Sequence, residues 1–205
     1  MDTYNSTKKY DMSKKLTVLV DMDGCLDNLL KAWLHSLNEI YGTDIVEDDI
    51  TDWDMSAAFQ KATGNYTLTL DEICEPLLNP DFWDTVEPIP GAAEALQKLI
   101  TDGHKIYIVT ASHYQTLAAK MEKVLFRYFP FLTWDDVIVT SNKQLVSGDV
   151  LIDDGVHNLT NGSYAKLLMD APHNRGFDAE ANGMTRVMDW GDAYIKICQL
   201  LAKEG

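Results

Sequence analysis

Thr17-Val18-Leu19-Val20-Asp21-Met22-Asp23-Gly24-Cys25-Leu26-Asp27 is a short apolar run that ends in two carboxylates and a glycine. The run reads as a buried strand. Residues two apart on an extended chain point the same way, so Asp21 and Asp23 in such a position would repel each other. In a parallel α/β sheet the carboxyl ends of the strands are where ligands bind. A bound cation and phosphoryl chemistry give the pair a reason to exist.

Outward from this stretch, apolar runs alternate with helical patterns. Asn28 to Tyr41 carries Leu29, Ala32, Trp33, Leu37, Ile40 and Tyr41 at helical spacing and stops at Gly42. Residues 43–88 lose the strand–helix rhythm, with short helices expected at 54–62 and 69–78. The rhythm resumes with a helix at Ala92–Thr101 and a strand at Lys105–Val109 that runs into Thr110-Ala111-Ser112. A helix is expected at Leu117–Tyr128, strands at Asp136–Val139, Val150–Ile152 and Tyr164–Met169, and a closing helix at Trp190–Lys203. This order predicts an α/β fold with a doubly wound, mostly parallel, Rossmann-like sheet. The core would be residues 15–27 and 87–205, with residues 28–86 inserted after the first strand and residues 1–14 a flexible lead-in.

The chain has 205 residues, enough for one good core with a small insertion. Lys plus Arg total 17 against 32 Asp plus Glu, a net charge of −15. Such a surface repels the phosphates of a nucleic acid polymer. An anionic substrate would need a local cation or lysine to reverse the field. Cys25, Cys74 and Cys198 fit no zinc or CxxC spacing, and their odd number argues against a disulfide framework. A cytoplasmic location is the simplest reading. No apolar run approaches the roughly 18 residues of a membrane span.

Four strand ends carry polar groups, and a parallel sheet brings them to one edge. They supply Asp21 and Asp23, then Thr110 and Ser112, then Lys143 in a following loop, then Asp153-Asp154-Gly155. Hard oxygen ligands suit Mg²⁺. A lysine and hydroxyls beside them would hold phosphate oxygens, and a carboxylate can itself attack phosphorus. Taken singly each element has a plainer reading, as a turn, a helix cap or a solvated lysine. Their conjunction, each just after an expected strand, favours the site. Cys25 beside the acids reads as small filler, and His157 is a candidate lining residue.

At these residues the chain resembles the haloacid dehalogenase superfamily of phosphatases. The matching motifs are Asp21 to Leu26, Ile106 to Thr110, Lys143, and Gly148 to Asp154. It is more closely similar to the 5′(3′)-deoxyribonucleotidase (type C 5′-nucleotidase) family, through Val18–Gly24, Phe82–Ala92, Gly148–Asp154, Ala171-Pro172-His173-Asn174 and Val187–Trp190. The resemblance implies a Mg²⁺-dependent phosphomonoesterase acting on (deoxy)nucleoside 5′-monophosphates. In it Asp21 is the nucleophile and Asp23 the general acid and base. Asp21, Asp154 and the Asp23 carbonyl hold the metal, with Asp153 beside them. Thr110, Ala111 with Ser112 next to it, and Lys143 bind phosphate. Residues 28–86 form a helical cap, and a homodimer is compatible with the family. Three positions depart from its pattern: Ala111 replaces a serine, Leu29 a stacking aromatic and Ser141 an arginine. Trp53, Phe59, Phe82 and Trp83 are candidates for a replacement stacking surface, each weighed against packing in the cap. Other readings are a phosphatase for another small ester and a non-catalytic metabolite-binding module.

Overall fold

The computed structural model describes residues 14–201, so the expected lead-in, apart from Lys14, and the end of the predicted closing helix lie outside the described residues. Six strands form one parallel sheet: β1 (Thr17–Val20), β2 (Lys105–Thr110), β3 (Val137–Val139), β4 (Val150–Asp153), β5 (Ala165–Met169) and β6 (Thr185–Val187), in the order β3-β2-β1-β4-β5-β6. The order reverses at β1, whose neighbours are β2 and β4. In open α/β sheets that reversal is where a crevice opens at the strands' carboxyl ends.

Strand periodicity divides the apolar residues between two layers. Val18, Val20, Ile106, Ile108, Val150 and Ile152 pack into the larger core, with Leu96, Leu99, Val124, Trp190 and Ile197 from the helices. The intervening Leu19, Val109, Leu151 and Leu168 face a smaller cluster with Leu159, Tyr164 and Met184. The first is covered by α4 (Ala92–Thr101), α8 (Trp190–Gln199) and the segment from α5 (Leu117–Lys120) to α6 (Phe126–Tyr128), which are joined by a π-helical turn at Met121–Leu125. The second lies under α7 (Val156–Leu159) and the loops beyond β5.

Between β1 and α4 the chain forms α1 (Leu29–Tyr41), α2 (Ser56–Thr63) and α3 (Leu70–Cys74) with several short 3₁₀ turns. Gly42 ends α1 in the left-handed conformation, with φ 65°, as glycine readily does. This segment has an apolar cluster of its own, built from Leu34, Leu37, Ile50, Met55, Phe59 and Ile73. Its two ends are stitched together. Asn28 N–H donates to the Glu87 carbonyl at 2.8 Å and Ile89 N–H to the Leu26 carbonyl at 2.8 Å.

Strand β6 escaped the sequence reading. It has three residues, Thr-Arg-Val, and pairs only with β5, too short for an apolar run to show. Burial decides three of the four aromatic candidates in favour of packing and against a stacking surface. Phe59 lies in the inserted segment's cluster, and Phe82 and Trp83 pack into the main core. Only Trp53 stands exposed, at 54%.

Candidate active site

The motif strand ends as its apolar pattern requires. Asp21 N–H still bonds the Ile152 carbonyl of β4 at 2.9 Å, and then the chain turns. Leu26 N–H closes back on the Met22 carbonyl at 2.8 Å, and the buried Trp190 indole N–H of α8 donates to the Cys25 carbonyl at 2.7 Å. Gly24 sits at φ 71°, and a Cβ there would collide with Oδ2 of Asp154. The glycine thus meets two demands, a left-handed backbone and the close approach of the β4 carboxylate.

Asp21 is buried, and its Oδ1 accepts from Met22 N–H and from the Lys143 ammonium, both at 2.7 Å. Lys143 also donates to Asp153 Oδ2 at 2.7 Å. The other oxygen of Asp153 accepts from Gly155 N–H at 2.8 Å and the Asn158 amide at 2.9 Å. Both oxygens of Asp153 are therefore engaged by protein donors. Asp154 differs, because its Oδ1 is buried without a partner among the described residues. Its main-chain carbonyl is held by the buried Asn174 amide at 2.9 Å, and Arg186 fixes Asn174 at 2.6 Å. The stretch Ala171 to Asn174 thereby acquires a physical role. Oxygens of Asp21, Asp153 and Asp154 lie within 4.8 Å of one another.

Burial, then the charge of Asp153, pushes the Asp21 carboxyl up from 3.8 to about 7. Burial and Asp21 likewise raise Asp154 well above the carboxylate range. Burial alone would lower Lys143, but Asp21 and Asp153 outweigh it and hold the ammonium charged. Burial followed by Asp154 raises the Cys25 thiol, which agrees with its reading as filler.

A second buried lysine was not foreseen. Lys120 on α5 donates to Asp23 Oδ2 at 2.6 Å, Thr110 Oγ1 at 2.9 Å and the Ala111 carbonyl at 3.1 Å. Its signal was a single charge on the helix face shared by Leu117, Met121 and Val124. Thr110 is buried and its hydroxyl donates to the Ala111 carbonyl at 3.1 Å; Ser112 turns its hydroxyl toward the His113 carbonyl at 3.4 Å. Ala111 and Lys143, by contrast, line the cavity above the acids. Asp27 is also buried, with Oδ2 unpartnered among the described residues. Five carboxylates, those of Asp21, Asp23, Asp27, Asp153 and Asp154, thus surround two ammoniums. A divalent cation would offset that surplus.

The cavity measures about 760 Å³ and lies between this edge and the inserted segment. Leu29 and Ser141, two of the departures from the family pattern, line it, as do Trp33, Trp53 and His157. Trp53 meets His157 and His173 edge-on, with ring centroids 4.7 and 5.2 Å away. Arg175 links the segment to the core through Asp48 at 2.9 Å and Asp170 at 3.0 Å.

The profile of the family described as 5′ nucleotidase, deoxy (Pyrimidine), cytosolic type C protein matches residues 14–204. The chain belongs to this family. A 5′(3′)-deoxyribonucleotidase of Bacillus subtilis is 32% identical over 185 residues, covering 89% of this chain and 99% of that protein. One of Clostridium acetobutylicum is 34% identical over 187 residues, covering 91% and 97%. Among solved structures, a haloacid dehalogenase-like hydrolase of Streptococcus pneumoniae superposes with a TM-score of 0.60 at 13% identity, covering 89% of this chain and 98% of that one. That likeness bears on the fold, which is of the haloacid dehalogenase type. This type C nucleotidase relative is accordingly a phosphatase of the hydrolase class. No helix among its described residues is long and apolar enough to cross a membrane.

Proposed function

We propose that the chain hydrolyses (deoxy)nucleoside 5′-monophosphates through a phosphoryl group carried on Asp21. The observation that carries this reading is the division between the two oxygens of Asp21. Oδ1 is held by Met22 N–H and Lys143, which leaves Oδ2 without a protein donor among the described residues. Residues 15–27 and 87–205 then act as the catalytic core, with 28–86 the cap that shapes the leaving-group side. Relatives named for deoxyribonucleotide hydrolysis support the substrate class.

In the first half-reaction Asp21 Oδ2 forms a bond to phosphorus as the ester P–O bond breaks, and Asp23 passes its proton to the departing nucleoside oxygen. In the second, Asp23 takes a proton from water, the water oxygen bonds to phosphorus, and the carboxylate of Asp21 leaves. Lys143 and the Ala111 N–H would face the phosphate oxygens. A cation fits the residues present: Asp154 has a buried oxygen without a partner, next to Asp21. Asp21, Asp154 and the Asp23 carbonyl would hold Mg²⁺, an all-oxygen set suited to that ion. Because both oxygens of Asp153 are occupied, Asp154 is favoured as the ligand and Asp153 as its neighbour. Bound there, Mg²⁺ would neutralise phosphate charge. The free cysteines support work in a reducing cytoplasm.

Phosphate release from a panel of nucleoside monophosphates and sugar phosphates, with and without Mg²⁺, tests the reading. Turnover confined to sugar phosphates would overturn it. Trp53 is the exposed aromatic wall of the cavity, and a base stacked on an aromatic is worth about 1–3 kcal/mol. Trp53→Ala is therefore expected to raise KM for nucleotides roughly tenfold and to leave KM for a small alkyl phosphate unchanged.

The raised Asp21 carboxyl gives a second expectation. Between 3.8 and about 7 the folded chain binds more protons at Asp21 than the unfolded chain. Stability of the metal-free protein therefore falls as pH rises through that window. A cation takes the proton's place, so Mg²⁺ should raise Tm clearly at pH 8 and little at pH 5. Equal shifts at the two pH values in a thermal melt would show that the ion binds elsewhere.

A further inference from the structure

Lysine is seldom fully buried unless it is paired, and Lys120 is buried to 1% exposure on α5. All three of its hydrogen bonds go to the site. It reaches Asp23 Oδ2 at 2.6 Å, the Thr110 hydroxyl at 2.9 Å and the Ala111 carbonyl at 3.1 Å. Among the described residues the Asp23 carboxylate has no other hydrogen-bond partner, since its Oδ1 has none. The Asp23 side chain is 31% exposed, and its ion pair with Lys120 is 2.6 Å long. Lys143 serves Asp21 and Asp153 instead, so each of the two acids has its own lysine. The helix changes to π form at Met121, immediately after Lys120. Such turns frequently mark functional sites.

We propose that Lys120 is the positioning residue of the acid–base Asp23. It holds the carboxyl against the leaving oxygen and ties it to the end of β2 where the phosphate is bound. The inference rests on the phosphatase reading above and names a part of that site that neither motif spacing nor the relatives assign. Lys120 acts through Asp23, so its removal should be felt most where the leaving group needs a proton.

The test compares Lys120→Met with the unaltered enzyme on two substrates with Mg²⁺ present. One is a nucleoside 5′-monophosphate, whose alkoxide leaving group must be protonated. The other is p-nitrophenyl phosphate, whose phenolate leaves without help. The quantity is kcat/KM, which runs only as far as departure of the leaving group and is blind to later hydrolysis. The nucleotide value is expected to fall about 100-fold, the lower end of a general acid's contribution. The p-nitrophenyl value should fall by at most about a tenth as much. Lys120→Gln keeps a donor for Asp23 and should recover part of the loss. It carries the same comparison should the methionine variant fail to fold by circular dichroism. An active unaltered enzyme with equal losses, or no loss, on the two substrates overturns this inference alone. An unaltered enzyme inert on both overturns the phosphatase reading and this inference with it.

Discussion

Asp21→Asn is expected to lower kcat by at least about 10⁴-fold, the scale on which enzymes lose turnover when a nucleophile is removed. On the proposed mechanism the amide cannot form the phosphoryl bond, and it would weaken the proposed metal site as well. Stability should move the other way. The surroundings of Asp21 disfavour its charge, chiefly through burial and the neighbouring Asp153. A neutral side chain of the same shape removes that conflict. In EDTA at pH 8 the variant should therefore melt at or above the temperature of the unaltered protein. Phosphate release within tenfold of the unaltered rate would remove Asp21 from the nucleophile's role. A large fall in Tm would show instead that the Lys143 ion pair matters more to the fold than to the chemistry.

Gly24→Ala should also damage turnover, though less than Asp21→Asn and though the residue carries no functional group. An alanine at φ 71° costs about 1–3 kcal/mol. The added Cβ would also push against Asp154 Oδ2. Misplacement of a catalytic group by about 1 Å can cost on the order of 100-fold, and that is the loss expected in kcat/KM. Mg²⁺ affinity should weaken along with it. A variant that melts lower yet keeps full kcat/KM and Mg²⁺ affinity would mean that Asp154 yields to the methyl group without consequence.

The sequence made the strand ends legible because a strand buried on both faces is a nearly unbroken apolar run. Val18 to Val20, Ile106 to Val109 and Val150 to Ile152 each stop at a chemical group, and the sheet order carries those groups to one edge. Asp21, Asp23, Lys143, Asp153 and Asp154 are brought together there. The unforeseen parts are those whose role depends on three-dimensional neighbours. Lys120 is one charge on an apolar helix face, and such a residue is indistinguishable in sequence from a surface lysine. Asn174 steers Asp154 from a loop 20 residues away. The Thr110 hydroxyl was expected to face phosphate, but it is engaged by Lys120. Three of the four aromatic candidates fail for a similar reason. Phe59, Phe82 and Trp83 satisfy the hydrophobic demand of a core, whereas Trp53 is left outside one.

The paired backbone bonds at Asn28–Glu87 and Leu26–Ile89 bring the two ends of the inserted segment side by side. Seen from the sheet, the excursion begins and ends at a single point. Its length is therefore invisible to the register of β1 against β2 and β4, and loop-closure entropy changes only logarithmically with it. The excursion can be lengthened, shortened or exchanged without disturbing the strand ends beneath it. On the proposed reading, in which this segment shapes the leaving-group side, selectivity can change without a change in reactivity.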